Sequence, residues 1–198
     1  MGLEKELKFP VTDCRDLLPV VNRTARSATP WHFESNLVLD TSDQALFRRG
    51  ELLRLRTGTE SVLTFKAPCA ETGSATAKIM EELETGISDL PTLHTILHRL
   101  GFTRELRYEK FRAEWKLDTA LICLDILPFG HFVEIEGEEP AIAATAEILG
   151  LPPATARRAD YHRLFREHLA ASGREPEDSF VFTDRQRETW MQQLRIDL

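Results

Sequence analysis

The residues best suited to chemistry near the start of the chain are Glu4, Glu6 and Lys8. Side chains along a β-strand point to alternate faces, so these three share one face while Leu7 and Phe9 share the other. Carboxylates bind hard divalent metal ions through oxygen, and an ammonium group binds phosphate. Alone, such a short segment is more typical of a solvated strand face. Its meaning depends on whether later strands repeat the pattern.

The pattern does recur along the chain. Period-two alternation and turn residues predict eight strands, over residues 3–9, 31–40, 51–56, 61–66, 77–85, 103–116, 120–127 and 132–136. The cations on the charged faces are Lys8, Arg54, Arg56, Lys66, Lys78, Lys110 and Arg112. The carboxylates on those faces are Glu4, Glu6, Glu82, Glu84, Asp125, Glu134 and Glu136. Two complementary sets of charge therefore follow the predicted sheet.

Helical patterns separate and follow these strands. They predict helices over residues 11–23, 88–100, 140–149, 155–171 and 185–194, with a single turn ending at Leu46. Residues 68–76 are predicted to form a loop. We expect one domain over residues 1–171, followed by a tail, 172–198, whose short helix docks on that domain or on a dimer partner. The fold class is α+β.

Two arrangements would suit such strands. In an open sheet, the charged face would be solvated and the apolar face would pack under the helices. In a closed antiparallel barrel of eight strands, the charges would line an interior wide enough for side chains or one small ligand. Burying so many charges is costly unless they are paired or bind something charged. A polyanion held together with Mg²⁺ or Mn²⁺ would satisfy both sets, and this favours the barrel with helices outside.

Whole-chain properties limit the partners. The 198 residues carry a net charge of −7, which argues against a general nucleic-acid binder. Three dispersed cysteines indicate neither a disulfide framework nor a CxxC metal site. No stretch is long and apolar enough for a membrane span. These features predict a soluble, cytoplasmic protein.

The strand motifs resemble a known family. Glu4 to Lys8 resembles the ExExK signature of the CYTH superfamily, the triphosphate tunnel metalloenzymes, which include class IV adenylyl cyclases and thiamine triphosphatases. Similar blocks follow in order, over residues 39–41, 46–50, 53–56, 63–66, 82–84, 110–112, 124–125 and 130–136. The resemblance covers roughly residues 3 to 169. The ordered set is far more specific than ExExK alone.

This resemblance implies an eight-stranded antiparallel tunnel, with Mg²⁺ or Mn²⁺ as cofactor and a small triphosphate-containing molecule as partner. It implies that Glu4, Glu6 and Lys8 are catalytic. The metal ligands it implies are Glu4, Glu6 and Glu136, with Glu134 as a ligand or neighbour and Asp125 as a further acidic candidate. The implied triphosphate contacts are Lys8, Arg54, Arg56, Lys66, Lys110 and Arg112, with Lys78 as an addition. Glu82 and Glu84 would have secondary roles.

The chain departs from the family at the late helix. The family often has Lys-Ser-Tyr there, whereas this chain has Ala159-Asp160-Tyr161 after Arg157-Arg158. A basic contact at this position is either missing or supplied by an arginine.

Three functions compete. Metal-dependent hydrolysis of tripolyphosphate, thiamine triphosphate or a nucleoside triphosphate is the first prediction. Cyclisation of ATP to cyclic AMP and pyrophosphate is the second, because the same tunnel could serve it. The third is noncatalytic binding of polyphosphate or nucleotide. A homodimer is left open.

Overall fold

The computed structural model describes residues 2–69 and 78–196, and of Lys78 only the backbone. The fold combines α-helices with an eight-stranded antiparallel sheet. The strands are β1 (Gly2–Val11), β2 (Arg26–Asp40), β3 (Leu52–Thr57), β4 (Ser61–Pro68), β5 (Lys78–Gly86), β6 (Arg104–Leu117), β7 (Ala120–Leu127) and β8 (Gly130–Glu136). All eight predicted strands are present. Residues 70–77, which hold most of the predicted loop, lie outside the described residues.

The sheet closes on itself. Strand β1 pairs with β5 over its first half and with β8 over its second half. The strand order is therefore β1-β5-β4-β3-β2-β6-β7-β8, with the last strand returning to the first. One face of every strand points to the interior of this closed sheet, and the other face points outward.

Six helices occur in the described part of the chain. They are α1 (Leu18–Thr24), α2 (Ala45–Arg48), α3 (Leu90–Arg99), α4 (Glu139–Ile148), α5 (Tyr161–Ala171) and α6 (Asp184–Leu194). Short 3₁₀ turns span Cys14–Leu17 and Pro153–Thr155. Among the described residues, none of the helices has the length and apolar character needed to cross a bilayer.

The apolar faces of the strands pack under helices. The largest cluster joins Phe111, Ile122 and Ile135 of the sheet to Ile142 of α4 and to Phe182 before α6. A second cluster lies under α5 and a third under α2 and α3. Each fully buried large apolar side chain contributes about 1.5–3 kcal/mol, so this outer packing supports a charged interior.

Two predicted helices differ in the structure. The prediction over residues 11–23 becomes the 3₁₀ turn and then α1, with Asp13 as the N-terminal cap. The prediction over residues 155–171 is wrong in its first part, because α5 begins only at Tyr161. Arg157 exchanges two backbone hydrogen bonds with Lys8, at 2.9 and 2.7 Å, which hold this stretch extended. The Asp160 side chain then accepts from the Arg163 amide at 2.8 Å and starts the helix.

The residues before α6 pack against the sheet. Phe180 exchanges backbone hydrogen bonds with β6, donating to the Arg107 carbonyl at 2.9 Å and accepting from the Glu109 amide at 3.0 Å. Its ring lies 4.9 Å from that of Phe165 on α5. Trp190 of α6 packs edge-on against His131 at 5.4 Å. The aromatic residues of the tail thus attach it to this same chain.

Candidate functional site

A polar cavity of about 240 Å³ lies inside the closed sheet. Most of the predicted site residues line it, namely Glu4, Glu6, Lys8, Arg54, Arg56, Lys66, Glu82, Glu84, Lys110, Arg112, Glu134 and Glu136. The strand register explains this, because each of these residues occupies an inward position on its strand. The side chain of Lys78 lies outside the described residues.

Three carboxylates come together at one side of this cavity. Glu6 of β1 pairs directly with Glu136 of β8, and Glu4 is the next inward residue of β1. One oxygen of each carboxylate lies within 4.8 Å of the other two. We call Glu4, Glu6 and Glu136 the carboxylate cluster. Like charges directly opposite each other destabilise a strand pair, so this arrangement favours a bound cation.

Burial and the repulsion among these carboxylates raise the pKa values of two of them. Burial, followed by the charges of Glu134 and Glu4, raises the pKa of Glu136 to about 8, and Arg112 offsets this only in part. Burial and the charge of Glu6 also raise the pKa of Glu4, although Lys66 acts in the opposite direction. The surrounding cations therefore do not balance three ionised carboxylates, and Glu136 retains a proton at neutral pH that a bound cation would displace.

Lys8 occupies the position between two glutamates of the cavity. Its ammonium nitrogen lies 2.7 Å from Glu6 Oε1 and 3.0 Å from Glu134 Oε2. Burial opposes the charge of Lys8, but the two carboxylates outweigh burial and raise the pKa above its usual range. Glu134 also contacts Arg112 at 3.2 Å. Lys8, Arg112 and Lys110 outweigh the burial of Glu134 and hold its pKa well below the ordinary value.

Four cations on β3 and β6 line the same cavity, and we call them the cation wall: Arg54, Arg56, Lys110 and Arg112. Arg54 donates to the Tyr108 hydroxyl at 2.9 Å and to the Thr64 hydroxyl at 3.2 Å. Arg56 lies 3.6 Å from Glu84. These guanidinium groups are fixed in place by neighbours and face the cavity, an arrangement suited to a polyanion.

Asp125 is not among the residues that line the cavity. It is fully buried behind the cation wall, where Arg112 donates to both its oxygens at 2.7 and 2.6 Å. The Tyr161 hydroxyl donates to it at 2.6 Å, and Lys110 lies 3.4 Å away. Because its lone pairs are already used, this geometry does not support the prediction that Asp125 binds metal. It holds Arg112 in position instead.

The secondary acidic candidates pair with cations. Lys66 contacts Glu4 and lies 3.2 Å from Glu82, its direct partner across β4 and β5. Glu84 accepts from the Thr64 hydroxyl at 2.7 Å. Lys66 thus connects the carboxylate cluster to the β4–β5 side of the cavity.

Two buried residues were missed by the sequence reasoning. Glu34 of β2 lies 3.5 Å from Lys110 and 3.9 Å from Arg56, so it balances the cation wall from behind. Its inward position could have been found from its alternation with Phe33 on β2. The Lys8 ammonium nitrogen lies over the Tyr161 ring, 5.0 Å from the ring centroid. Burial raises the pKa of Tyr161, so it keeps its proton and donates to Asp125.

The arginines before α5 do not supply the basic contact that the family pattern left open. Arg157 contacts Glu167 on α5, and Arg158 lines an apolar groove beside α4 rather than the central cavity. At this end, the cavity is bordered by Asp160, Tyr161 and His162.

Comparison with known protein families defines the class of protein. The CYTH domain family model matches residues 2–153, and the chain therefore belongs to the CYTH domain family. A search of curated proteins gave no match.

Solved structures share the fold. A candidate adenylate cyclase from Vibrio parahaemolyticus is 24% identical, with a TM-score of 0.69, over 83% of this chain and 98% of that chain. The PH1819 protein from Pyrococcus horikoshii OT3 is 25% identical, with a TM-score of 0.67, over the same shares. HpAC1 from Hippeastrum, a candidate adenylyl cyclase described as having a dominant triphosphatase activity, is 16% identical, with a TM-score of 0.58, over 88% of this chain and 97% of that chain.

Proposed function

We propose that this chain binds the triphosphate group of a small molecule in its central cavity, together with a divalent metal ion, and hydrolyses it. The observation that carries the proposal is that two sets of opposite charge line one cavity. The carboxylate cluster holds a proton on Glu136 that a bound cation would replace, and the cation wall is preorganised for phosphate. In this proposal the closed sheet serves as a tunnel.

The donor set suits a hard metal ion. Three carboxylates within 4.8 Å of one another offer oxygen ligands only, which Mg²⁺ and Mn²⁺ prefer. Glu4, Glu6 and Glu136 would hold the ion, with Glu134 beside them. When bound, the ion would neutralise charge on the phosphate oxygens and act as a Lewis acid.

The chain's own cations would bind the phosphate groups and stabilise the leaving group. Arg54, Arg56 and Arg112 would bind phosphate oxygens, and their fixed donors need no rearrangement as charge shifts to the leaving group. Lys8 lies between the carboxylates of Glu6 and Glu134 and would contact both the cluster and the bound phosphate. Asp125 would keep Arg112 oriented without touching the substrate.

Phosphate release tests the proposal directly. Purified protein is assayed with tripolyphosphate, ATP and thiamine triphosphate, with and without Mg²⁺ or Mn²⁺, beside the variant Glu6→Ala. We expect metal-dependent release from at least one substrate and a loss of about 10³-fold or more in the variant, because one carboxylate ligand is gone. Absence of release from every substrate would refute hydrolysis, and full activity of Glu6→Ala would refute the metal assignment.

Cyclisation is the alternative reaction, because two of the fold relatives are described as candidate adenylate or adenylyl cyclases. There a ribose hydroxyl would attack in place of water, within the same charged cavity. Measuring cyclic AMP and pyrophosphate beside phosphate from ATP separates the two reactions. The Hippeastrum protein, described by its dominant triphosphatase activity, favours hydrolysis as the first candidate here.

A further inference from the structure

His162 differs chemically from the other residues around the cavity. It is the second residue of α5 and borders the cavity beside Asp160 and Tyr161. Its ring packs between two aromatic rings, with centroids 5.3 Å from Tyr108 and 5.1 Å from Phe180, both at steep angles. This packing, together with the contact of Nδ1 with the Asp178 carbonyl, restricts the orientation of the imidazole.

The two ring nitrogens have different surroundings. Nδ1 lies 3.0 Å from the backbone carbonyl oxygen of Asp178, which can only accept, so Nδ1 carries a proton and donates. Nε2 is buried and has no hydrogen-bond partner among the described residues. In a neutral imidazole protonated at Nδ1, Nε2 is an acceptor. A buried acceptor left unpaired is destabilising, which makes this nitrogen a candidate for contact with a bound molecule.

The surroundings keep the ring neutral. Burial lowers the pKa of His162, and the charge of Arg166 acts in the same direction. The carboxylates of Asp160 and Asp178 favour the charged form but do not outweigh burial. From β6, the facing group is the Tyr108 ring. At neutral pH and above, Nε2 therefore offers a lone pair rather than a proton.

A neutral acceptor is unsuited to phosphate. Oxygens of an ionised triphosphate accept hydrogen bonds and donate none, so they match the cation wall and not Nε2. A partner for Nε2 must carry an N–H or O–H group. Inorganic tripolyphosphate has no such group when fully ionised, whereas organic esters such as ATP and thiamine triphosphate have amino or hydroxyl groups.

We propose that Nε2 of His162 accepts a hydrogen bond from an N–H or O–H group in the organic part of the substrate. His162 would thereby select organic triphosphate esters over inorganic tripolyphosphate. This inference rests on the proposed triphosphate site and adds to it the class of substrate and the position of its organic part, at the α5 end of the cavity.

Two substitutions separate the nitrogens. In His162→Asn, the amide nitrogen can replace Nδ1 and still donate to the Asp178 carbonyl, but no atom reaches the place of Nε2. In His162→Gln, the longer side chain brings an amide oxygen near the place of Nε2. His168→Asn on the same helix is the matched control, because His168 does not line the cavity. Thermal melting of each variant checks that the fold is intact.

Calorimetry with Ca²⁺ in place of Mg²⁺ measures the binding of ATP, thiamine triphosphate and tripolyphosphate. We expect His162→Asn to weaken at least one organic ligand about tenfold, the effect of one lost hydrogen bond, and to change tripolyphosphate less than about twofold. His162→Gln should recover part of the loss, and the control should bind all three like the wild type.

Equal losses for all three ligands, or no loss for any, would overturn the inference, because Nε2 would then contact water or only support the fold. Binding of tripolyphosphate alone by the wild type would also overturn it. Since calorimetry needs no turnover, these outcomes are independent of the phosphate-release assay that tests hydrolysis.

Discussion

The carboxylate cluster and the cation wall line the same cavity, but their charges are balanced in different ways. Behind the cation wall, Asp125 binds Arg112 through two hydrogen bonds, and Lys110 lies 3.4 and 3.5 Å from Asp125 and Glu34. In the cluster, Glu136 lies beside other carboxylates and 4.0 Å from Arg112 Nη1.

This difference separates two uses of buried charge. The cation wall is stable without a ligand because its counterions belong to the chain, and they also orient the guanidinium groups. In the carboxylate cluster, Lys8 pairs with Glu6 and Lys66 with Glu4, whereas Glu136 lies 4.0 Å from Arg112 and retains a proton. Removing a carboxylate should therefore have opposite effects on stability in the two regions.

The largest effect is expected behind the cation wall. Asp125→Ala should lower the free energy of unfolding by about 3–5 kcal/mol, because it leaves Arg112 buried without its main partner and removes the acceptor of Tyr161. Urea denaturation followed by circular dichroism measures this loss. Asp43→Ala removes an exposed partner of Arg48 and should change stability little. A small effect of Asp125→Ala would show that the wall does not depend on its built-in counterion.

The carboxylate cluster should show the opposite sign. The pKa of Glu136 is about 8 in the folded protein against an ordinary 4.5, so the folded state retains a proton that the unfolded chain releases. Stability of the metal-free protein should therefore fall as pH rises from about 5 to 8.5, by about 2–3 kcal/mol after allowance for partial exposure of the side chain.

Denaturation at a series of pH values in a chelating buffer measures this fall. Glu136→Gln should reduce the dependence of the unfolding free energy on pH and should be more stable than the wild type at pH 8. Added Mg²⁺ should stabilise the wild type but not this variant. If the unfolding free energy of Glu136→Gln fell with pH as steeply as that of the wild type, another group of the cavity would be responsible for the pH dependence.

Tyr161→Phe tests the contact between α5 and the buried counterion. Loss of the hydroxyl removes one hydrogen bond to Asp125, while Arg112 and Lys110 remain. We expect a loss of about 1.5 kcal/mol in the free energy of unfolding, the lower end of the range for a hydrogen bond to a charged group, because two cations still bind Asp125. A loss as large as that of Asp125→Ala would mean that the aspartate is held chiefly by Tyr161.

The smallest effect is expected at Lys5, which lies between two cluster residues in sequence but points outward, where it pairs with Glu138 at 2.5 Å. Lys5→Gln should leave phosphate release and metal binding unchanged and alter stability by less than about 0.5 kcal/mol. A strong loss of activity in this variant would contradict the inward assignment of Glu4 and Glu6.

The alternation of residues along each strand was sufficient to predict the eight strands and most of the inward set, because it is a local property with a fixed period, although Glu34 was missed. The separate roles within that set were not predictable. Asp125 and Glu134 both follow the inward pattern, yet one is enclosed by cations behind the wall and the other borders the cavity. Such roles depend on distances between strands that are far apart in sequence.

Tertiary contacts also explain the missed boundary of α5. The segment before Tyr161 has helical composition, but backbone pairing of Arg157 with Lys8 holds it extended. The acceptor nitrogen of His162 was likewise hidden, because its protonation depends on the Asp178 carbonyl in the tail. Neither contact could be predicted from the periodicity of the sequence.

The pairing of β1 with β8 has a consequence for folding during synthesis. Glu6 and Glu136 are direct partners although 130 residues separate them. During synthesis, β1 must wait on the order of ten seconds for β8 to emerge from the ribosome, with its edge exposed to other chains. The side of the cavity that holds the carboxylate cluster is thus among the last parts to form, and a truncated or slowly translated chain would expose β1 to misassociation.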